Sequence, residues 1–353
     1  MRELVRTALY GTLPPVPDQA VFREEPVGEY VTAGGIFAEV SRAAISFDGF
    51  GFPVDVFLPT GTDDPMPTVV FLSWSHDLAP ANGPAATFNR ANLDAMLGRG
   101  YAVVNVVCRD IVPDEGLAAD DRSVGLFGAY PGYDFGAVAA WGFGVSRAVD
   151  YVVAQGWADP AKVVASGHSR LGKAVLSAAV FDERIALVNP NGSGLGGSGC
   201  FRIRGDSQGQ NPDRVERIAD MIRHFPHWFI AAFAAHAGRE EAMPIDHHTL
   251  KALVAPRALV STEALGDVWA NPYGTLATTL AAREVFRWLG VEDRIGLHFR
   301  DGGHAQNETD VGAMLDFADG LFFGRPRPST GQPFPVPPPS GAFDWRAPEP
   351  GSG

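Results

Sequence analysis

The sequence predicts an α/β fold in which a mostly parallel sheet lies between two layers of helices. Short apolar runs such as 68–72 and 101–107 are hydrophobic without alternation, which is typical of central parallel strands because both of their faces are buried. Longer segments with apolar residues at helical spacing, such as 137–155, separate these runs. Strands that alternate with helices in this way build a three-layer αβα sandwich.

A single domain is predicted over residues 36–323. Residues 1–35 are rich in proline, glycine and charge and are predicted as an irregular lead-in, and the proline-dense residues 324–353 as a polyproline-like or disordered tail. Predicted strands cover 36–47, 52–58, 68–72, 101–107, 163–165, 185–189, 257–261 and 295–299. Predicted helices cover 89–99, 137–155, 215–235 with a break at Pro226, 249–253, 276–289 and 314–323. A long loop at 109–136 is predicted to be functional, and residues 191–212 form a glycine-rich excursion.

The composition limits the partners of this chain. Its 353 residues are 46% hydrophobic and carry a net charge of −13, which argues against nucleic acid and anionic membranes as partners. No apolar run is long enough to span a membrane, and the N-terminus lacks a signal-peptide core, so we expect a cytoplasmic protein or a mature secreted form. Cys108 and Cys200 are expected to be buried free thiols, and the chain to be a monomer.

A strand, a sharp turn and a helix meet around Ser169. A buried strand is predicted at 163–165, and apolar residues recur at helical spacing after Ser169. A serine on such a turn is the nucleophile elbow of α/β-hydrolases, where the helix N-terminus favours an oxyanion. The spacing is G-x-S-x-x-G, from Gly167 to Gly172, with Leu171 at the place of the usual second glycine. This pattern alone also fits an ordinary turn between a strand and a helix.

The chain order of an α/β-hydrolase triad is nucleophile, acid and histidine. His304 follows the last predicted strand, on a loop that can bring its imidazole to Ser169 to accept the hydroxyl proton. The acid is expected after the penultimate strand, where the chain has both Glu263 and Asp267.

Other clusters of polar residues do not predict a functional site. His224-x-x-His227 and Asp246-His247-His248 contain zinc-binding residue types, but neither completes a ligand set at standard spacing, so no metal is predicted. The acidic pairs Asp114-Glu115 and Asp120-Asp121 are predicted to be solvated loop residues.

The elbow segment Gly167-His168-Ser169-Arg170-Leu171-Gly172-Lys173 resembles the G-C-S-R-x-G-K motif of the glucuronoyl esterases, carbohydrate esterase family 15. Bacterial members of that family often have histidine in place of the cysteine. Further matching motifs occur in the family's order over residues 40–325. They are Arg99-Gly100-Tyr101-Ala102-Val103, the glycine-rich run Gly194 to Ile203, Phe225-Pro226-His227-Trp228-Phe229, Ala255-Pro256-Arg257, Asp267-Val268-Trp269-Ala270-Asn271-Pro272 and Gly302-Gly303-His304.

The resemblance implies an α/β-hydrolase fold and a serine esterase that needs no cofactor. Its substrate would be the ester between a 4-O-methyl-glucuronic acid branch of xylan and a lignin alcohol, cleaved through an acyl-enzyme on Ser169. Arg170 would face the oxyanion, and Trp269 and Glu216 would contact the sugar. Lys173 lies one helical turn from Ser169, so its ammonium could also face the pocket. Without the resemblance, Arg170 fits a surface ion pair, Lys173 a surface lysine and Trp269 a core residue.

The acid departs from the pattern of the family. Many glucuronoyl esterases carry a glutamate just before the glycine-rich segment, where this chain has Gly192. Asp267 matches a carboxylate that some bacterial members carry before the tryptophan, so we predict a hydrogen bond between Asp267 and His304, with Glu263 as the second choice. Two rival functions stay open: an esterase for acetylated xylan, and an inactive hydrolase fold that binds carbohydrate.

Overall fold

The computed structural model describes residues 1–61, 65–78, 87–118, 120–327, 333–337 and 343–348. Within these residues a nine-stranded sheet forms, in the spatial order β1-β2-β3-β5-β4-β6-β7-β8-β9. The strands are β1 Val21–Val31, β2 Phe37–Phe47, β3 Phe50–Pro59, β4 Met66–Ser73, β5 Ala102–Val107, β6 Ala158–His168, β7 Leu187–Asn191, β8 Ala258–Ala264 and β9 Ile295–Arg300. The first three strands and the β3–β5 pair are antiparallel, and all later pairs are parallel. The predicted α/β-hydrolase sheet is therefore confirmed.

Helices cover both faces of this sheet. They are α1 Arg2–Val5, α2 Arg90–Gly98, α3 Cys108–Ile111, α4 Gly125–Ala129, α5 Ala137–Val153, α6 Arg170–Phe181, α7 Ile218–His224, α8 Ala231–Ala234, α9 His247–Ala252, α10 Pro272–Trp288 and α11 Glu308–Phe323. Along β4, Val70 and Leu72 pack with α5 and α6 in one core cluster, whereas Val69 and Phe71 pack with α2 and α11 in the other. Because successive strand residues point to opposite faces, this alternation produces the three predicted layers.

The prediction of an irregular lead-in at residues 1–35 is wrong. Residues Arg2–Tyr10 are helical, with a π-helical second half, and Val21–Val31 is the edge strand β1. The proline, glycine and charged residues of this segment are typical of irregular structure, but an edge strand also tolerates them. The backbone groups on the outer side of an edge strand need no partner strand, and Pro26 lies where the register to β2 shifts. Residues before position 36 therefore contribute to the core and to the sheet.

The long helix predicted at 215–235 is also wrong, since two short helices, α7 and α8, occupy this segment. The chain between α7 and α8 caps the N-terminus of helix α5. The backbone carbonyls of His227 and Trp228 accept hydrogen bonds from Ala137 and Val138, at 2.9 and 3.3 Å. These are the first N–H groups of α5, which have no partner within their own helix.

Other expectations can be compared with the described residues. Both cysteines are buried and free, as predicted. The described parts of the tail contain no helix or strand, and there Phe334 packs on Tyr273 and Phe299; residues 328–332, 338–342 and 349–353 lie outside the description. No helix among the described residues is long and apolar enough to cross a membrane.

Candidate active site

Ser169 lies at the turn between β6 and α6 in a strained backbone conformation. Its φ and ψ angles are 58° and −126°, a region that residues other than glycine rarely adopt. This is the geometry of a nucleophile elbow, which lifts the serine hydroxyl clear of the backbone. The amide of Arg170 is the first of helix α6, where N–H groups lack helical partners and favour negative charge.

Two glycines make this turn possible. A Cβ on Gly167 would lie 2.7 Å from the carbonyl oxygen of Leu171, and one on Gly172 would lie 2.8 Å from the Cβ of Ser193. Both distances are below contact, so neither position accepts a side chain without movement of the backbone. Gly172 therefore allows helix α6 to pack against the chain that leaves β7, which explains the spacing G-x-S-x-x-G.

A continuous hydrogen-bonded chain joins Ser169, His304 and Asp267. The Ser169 Oγ lies 2.9 Å from His304 Nε2, and His304 Nδ1 lies 2.5 Å from Asp267 Oδ2. The predicted hydrogen bond between Asp267 and His304 is therefore confirmed. In this order the carboxylate fixes the tautomer that leaves Nε2 free to accept the serine proton.

Glu263, the second choice for the acid, does not contact His304. It is buried on β8, and neither carboxylate oxygen has a hydrogen-bond partner among the described residues. Burial, followed by the nearby charge of Asp267, raises its pKa well above the ordinary value, which favours the protonated form.

Gly192, where the family pattern has glutamate, lies beside the same carboxylate. A Cβ there would be 3.7 Å from Asp267 Oδ2 and 3.3 Å from His168 Cε1. A side chain at position 192 would therefore reach the same region as the Asp267 carboxylate, and in this chain Asp267 supplies the acid.

The buried ring of His168 packs against His304, the general base. Its ring centroid lies 4.4 Å from that of His304, and its Nδ1 lies 2.5 Å from Asn191 Oδ1. The amide nitrogen of Asn191 donates to Thr262, so its oxygen must accept from His168 and Nδ1 carries the proton. Complete burial, with the nearby His304, holds the pKa of His168 well below its ordinary value. A neutral ring therefore packs against His304 without competing for a proton.

Arg170 extends from the elbow into an aromatic and acidic environment. Its guanidinium lies 4.4 Å from the ring centroid of Phe225 and 4.5 Å from that of Trp228, and Nη1 donates to Asp114 Oδ2 at 2.8 Å. Asp114 is only 2% exposed, so its predicted place as a solvated loop acid is wrong. The burial depends on Arg170 and Trp228, which are far away in sequence.

Lys173 is buried and occupied within the protein. Its ammonium donates to the carbonyls of Ser193 and Leu195 at 2.8 and 2.6 Å and to Glu216 Oε2 at 3.3 Å. These bonds use all three donors, so the predicted direct contact with sugar is not available in this arrangement. Burial lowers the pKa of Lys173, and Glu216 opposes that shift.

Trp269 is the exposed member of the predicted sugar-binding group. Its side chain is 47% exposed, whereas Glu216 is buried and donates its backbone N–H to the carbonyl of Trp269 at 3.2 Å. A large exposed aromatic face suits the apolar face of a sugar.

A buried hydrogen-bonded cluster around Asp246 and His247 holds the glycine-rich run Gly194 to Ile203. Asp246 accepts from the backbone of Phe201 and from His247 Nδ1, and His247 Nε2 accepts from the backbone N–H of Gly196 at 2.6 Å. The sequence suggested only possible zinc ligands here. In the described part of the chain no group of three or more acidic, histidine or cysteine side chains is placed to hold a metal ion.

Comparison with known proteins agrees with this geometry. A family model for "Glucuronyl esterase, fungi" matches residues 47–290, which is more than half of the chain. The chain belongs to the glucuronoyl esterase family. Among its relatives, the carbohydrate esterase MZ0003 of an unknown prokaryotic organism is 34% identical over 254 residues, which cover 65% of this chain and 56% of the relative. The 4-O-methyl-glucuronoyl methylesterase of Hypocrea jecorina is 29% identical over 86% of this chain and 60% of its own length.

Solved structures of glucuronoyl esterases share the fold closely. The carbohydrate esterase family 15 glucuronoyl esterase from Caldicellulosiruptor kristjansonii superimposes with a TM-score of 0.79 at 31% identity, covering 98% of this chain and 90% of that one. A promiscuous esterase of the same family from a marine bacterial metagenome gives a TM-score of 0.74 at 27% identity, covering 90% and 89%. The chain spans a little over half the length of the first two sequence relatives.

Proposed function

We propose that this glucuronoyl esterase family member is a serine hydrolase that cleaves esters of glucuronic acid, including 4-O-methyl-glucuronic acid esters between xylan and lignin. The observation that carries the proposal is the hydrogen-bonded chain from Ser169 Oγ through His304 to Asp267. All three residues come from one chain, so a monomer has the complete triad.

Acylation begins when His304 Nε2 takes the proton of Ser169 and Oγ attacks the carbonyl carbon of the uronic ester. The Arg170 amide and guanidinium stabilise the negative oxygen of the tetrahedral intermediate. The carbon–oxygen bond to the alcohol then breaks, and His304 returns the proton to the departing alcohol. Water repeats the sequence on the acyl-enzyme: His304 takes its proton, the uronic acid leaves, and Ser169 recovers its hydrogen.

The choice of substrate rests on the surroundings of the triad. Several relatives are named 4-O-methyl-glucuronoyl methylesterase. In this chain Trp269 offers an exposed aromatic face near the triad, and Glu216 is fixed beside it by Lys173. The exposed Trp269 face suits the sugar ring of the acyl group, whereas an acetyl group has no ring to pack on it.

Comparison of two substrates tests the proposal. We expect the purified protein to release acid from benzyl glucuronate with a higher kcat/KM than from 4-nitrophenyl acetate, although the acetate has the better leaving group. Hydrolysis of the acetate alone would identify an acetyl esterase. If neither ester is hydrolysed but the protein binds glucuronoxylan, the reading as an inactive binding protein replaces this one.

A further inference from the structure

Asp114 joins two partners that the sequence separates widely. One carboxylate oxygen accepts from Arg170 Nη1 at 2.8 Å, and the other accepts from the indole N–H of Trp228 at 3.1 Å. Asp114 and Trp228 are each 2% exposed. The carboxylate is therefore held at both oxygens, one by the arginine and the other by the indole.

The guanidinium is also held by aromatic faces. The rings of Phe225 and Trp228 stack with centroids 4.0 Å apart and planes 5° apart, and the Arg170 guanidinium lies over both. Stacking and a charge-assisted bond restrict an arginine strongly, because the planar guanidinium has its donors in a fixed arrangement. Among the described residues Arg170 makes a side-chain hydrogen bond only through Nη1. Its Nε is buried without a partner, so Nη2 is the donor group that this 23% exposed side chain leaves for a substrate.

Stability alone gives a weak reason for this arrangement. A buried ion pair contributes little net stability, because desolvation of both charges offsets their attraction. A donor fixed before the reaction is valuable in catalysis, since it needs no reorganisation when charge develops. Arg170 directly follows the candidate nucleophile, which makes it the cation in this cluster that the reaction can use.

We propose that Asp114 and Trp228 are positioning residues that hold the Arg170 guanidinium for the oxyanion. Asp114 fixes Nη1, and the Trp228 ring restricts the orientation of the guanidinium. The inference rests on the proposed function, in which Arg170 stabilises the oxyanion. It adds that the long loop after α3 and the turn after α7 act on catalysis through Arg170, without touching the substrate.

A double-mutant cycle on benzyl glucuronate hydrolysis tests this role. Loss of an oxyanion donor lowers kcat by roughly a hundredfold or more, so we expect that effect for Arg170→Ala. Asp114→Asn keeps an acceptor but removes the charge, and we expect about a tenfold lower kcat with little change in KM, since the loss falls on the transition state. In the Arg170→Ala background Asp114→Asn should change kcat very little, because the group that it positions is absent.

The outcomes separate the inference from the proposed function. Equal factors for Asp114→Asn in both backgrounds, or no effect on kcat, would overturn the positioning role, since a general structural change acts with or without Arg170. An unchanged kcat for Arg170→Ala would instead refute the oxyanion role itself. Glu115→Gln is the matched control, because this exposed neighbour pairs with Arg109 and should behave as wild type. If Asp114→Asn does not fold, Trp228→Phe replaces it in the cycle: it removes the N–H donor and keeps an aromatic face, with the same expected non-additivity.

Discussion

Replacement of Asp267 by asparagine should remove most activity without unfolding the protein. The aspartate is 6% exposed and lies 2.5 Å from His304 Nδ1, and it is the carboxylate that His304 contacts in the described structure. An amide at this position either presents its NH2 group and reverses the imidazole tautomer, or presents its oxygen and leaves the imidazolium without a counter-charge. Such replacements lower kcat by roughly three to four powers of ten in serine hydrolases, and we expect a loss of that size here.

The assay is the release of acid from benzyl glucuronate, with thermal unfolding to verify the fold. Glu263→Gln is the matched control, since it changes a carboxyl group on the preceding strand by the same chemistry. Burial raises the pKa of Glu263 and favours its neutral form, so a neutral amide should change kcat little. A folded Asp267→Asn variant with most of its activity, or an equal loss in Glu263→Gln, would refute the assignment of the acid.

Two further predictions concern the cationic groups of Lys173 and His76. Lys173→Met should lower the free energy of unfolding in urea by roughly 3 kcal/mol or more, because it leaves Glu216 and two carbonyls buried without their donor. Unchanged stability, with an increase in KM confined to glucuronate esters, would instead show that Lys173 contacts the sugar. His76 bonds to Asp110 and Asp55, which raises its pKa from 6.5 to about 9. Because the folded pKa is the higher one, this contribution to stability is complete below pH 6.5 and is lost as the pH rises through about 9. His76→Gln should flatten the fall in unfolding free energy over that interval, and an equally steep fall in the variant would contradict the role of His76.

The sequence could predict the parts of the site that follow from local pattern and chain order. The elbow at Ser169 is a strand, a turn and a helix within a short segment, and its glycines are needed by neighbouring backbone. Asp267 and His304 follow the last two strands of a parallel sheet, whose carboxyl ends meet at one edge. Chain order therefore predicts that these side chains lie close together.

The remaining contacts depend on packing between distant segments. Asp114 looks like a solvated loop acid until the fold brings Arg170 and Trp228 to it. Lys173 lies one helical turn after Ser169, which predicts a pocket residue, but its ammonium donates to the carbonyls of Ser193 and Leu195. Strand β1 was missed because an edge strand with one open side has few of the apolar residues that mark a central strand.

The central claim is that Ser169 is the nucleophile, and turnover of benzyl glucuronate by the folded Ser169→Ala variant tests it most directly. Ser166→Ala is the matched control, because Ser166 is a buried serine on β6, three residues before Ser169, whose hydroxyl bonds to Asn189 and Gln306. We expect Ser169→Ala to lose roughly six powers of ten in kcat, as serine hydrolases do when the nucleophile is removed, and Ser166→Ala to stay active. A folded Ser169→Ala protein that keeps more than about a tenth of the wild-type kcat would contradict the account, because the loss of a nucleophile costs far more.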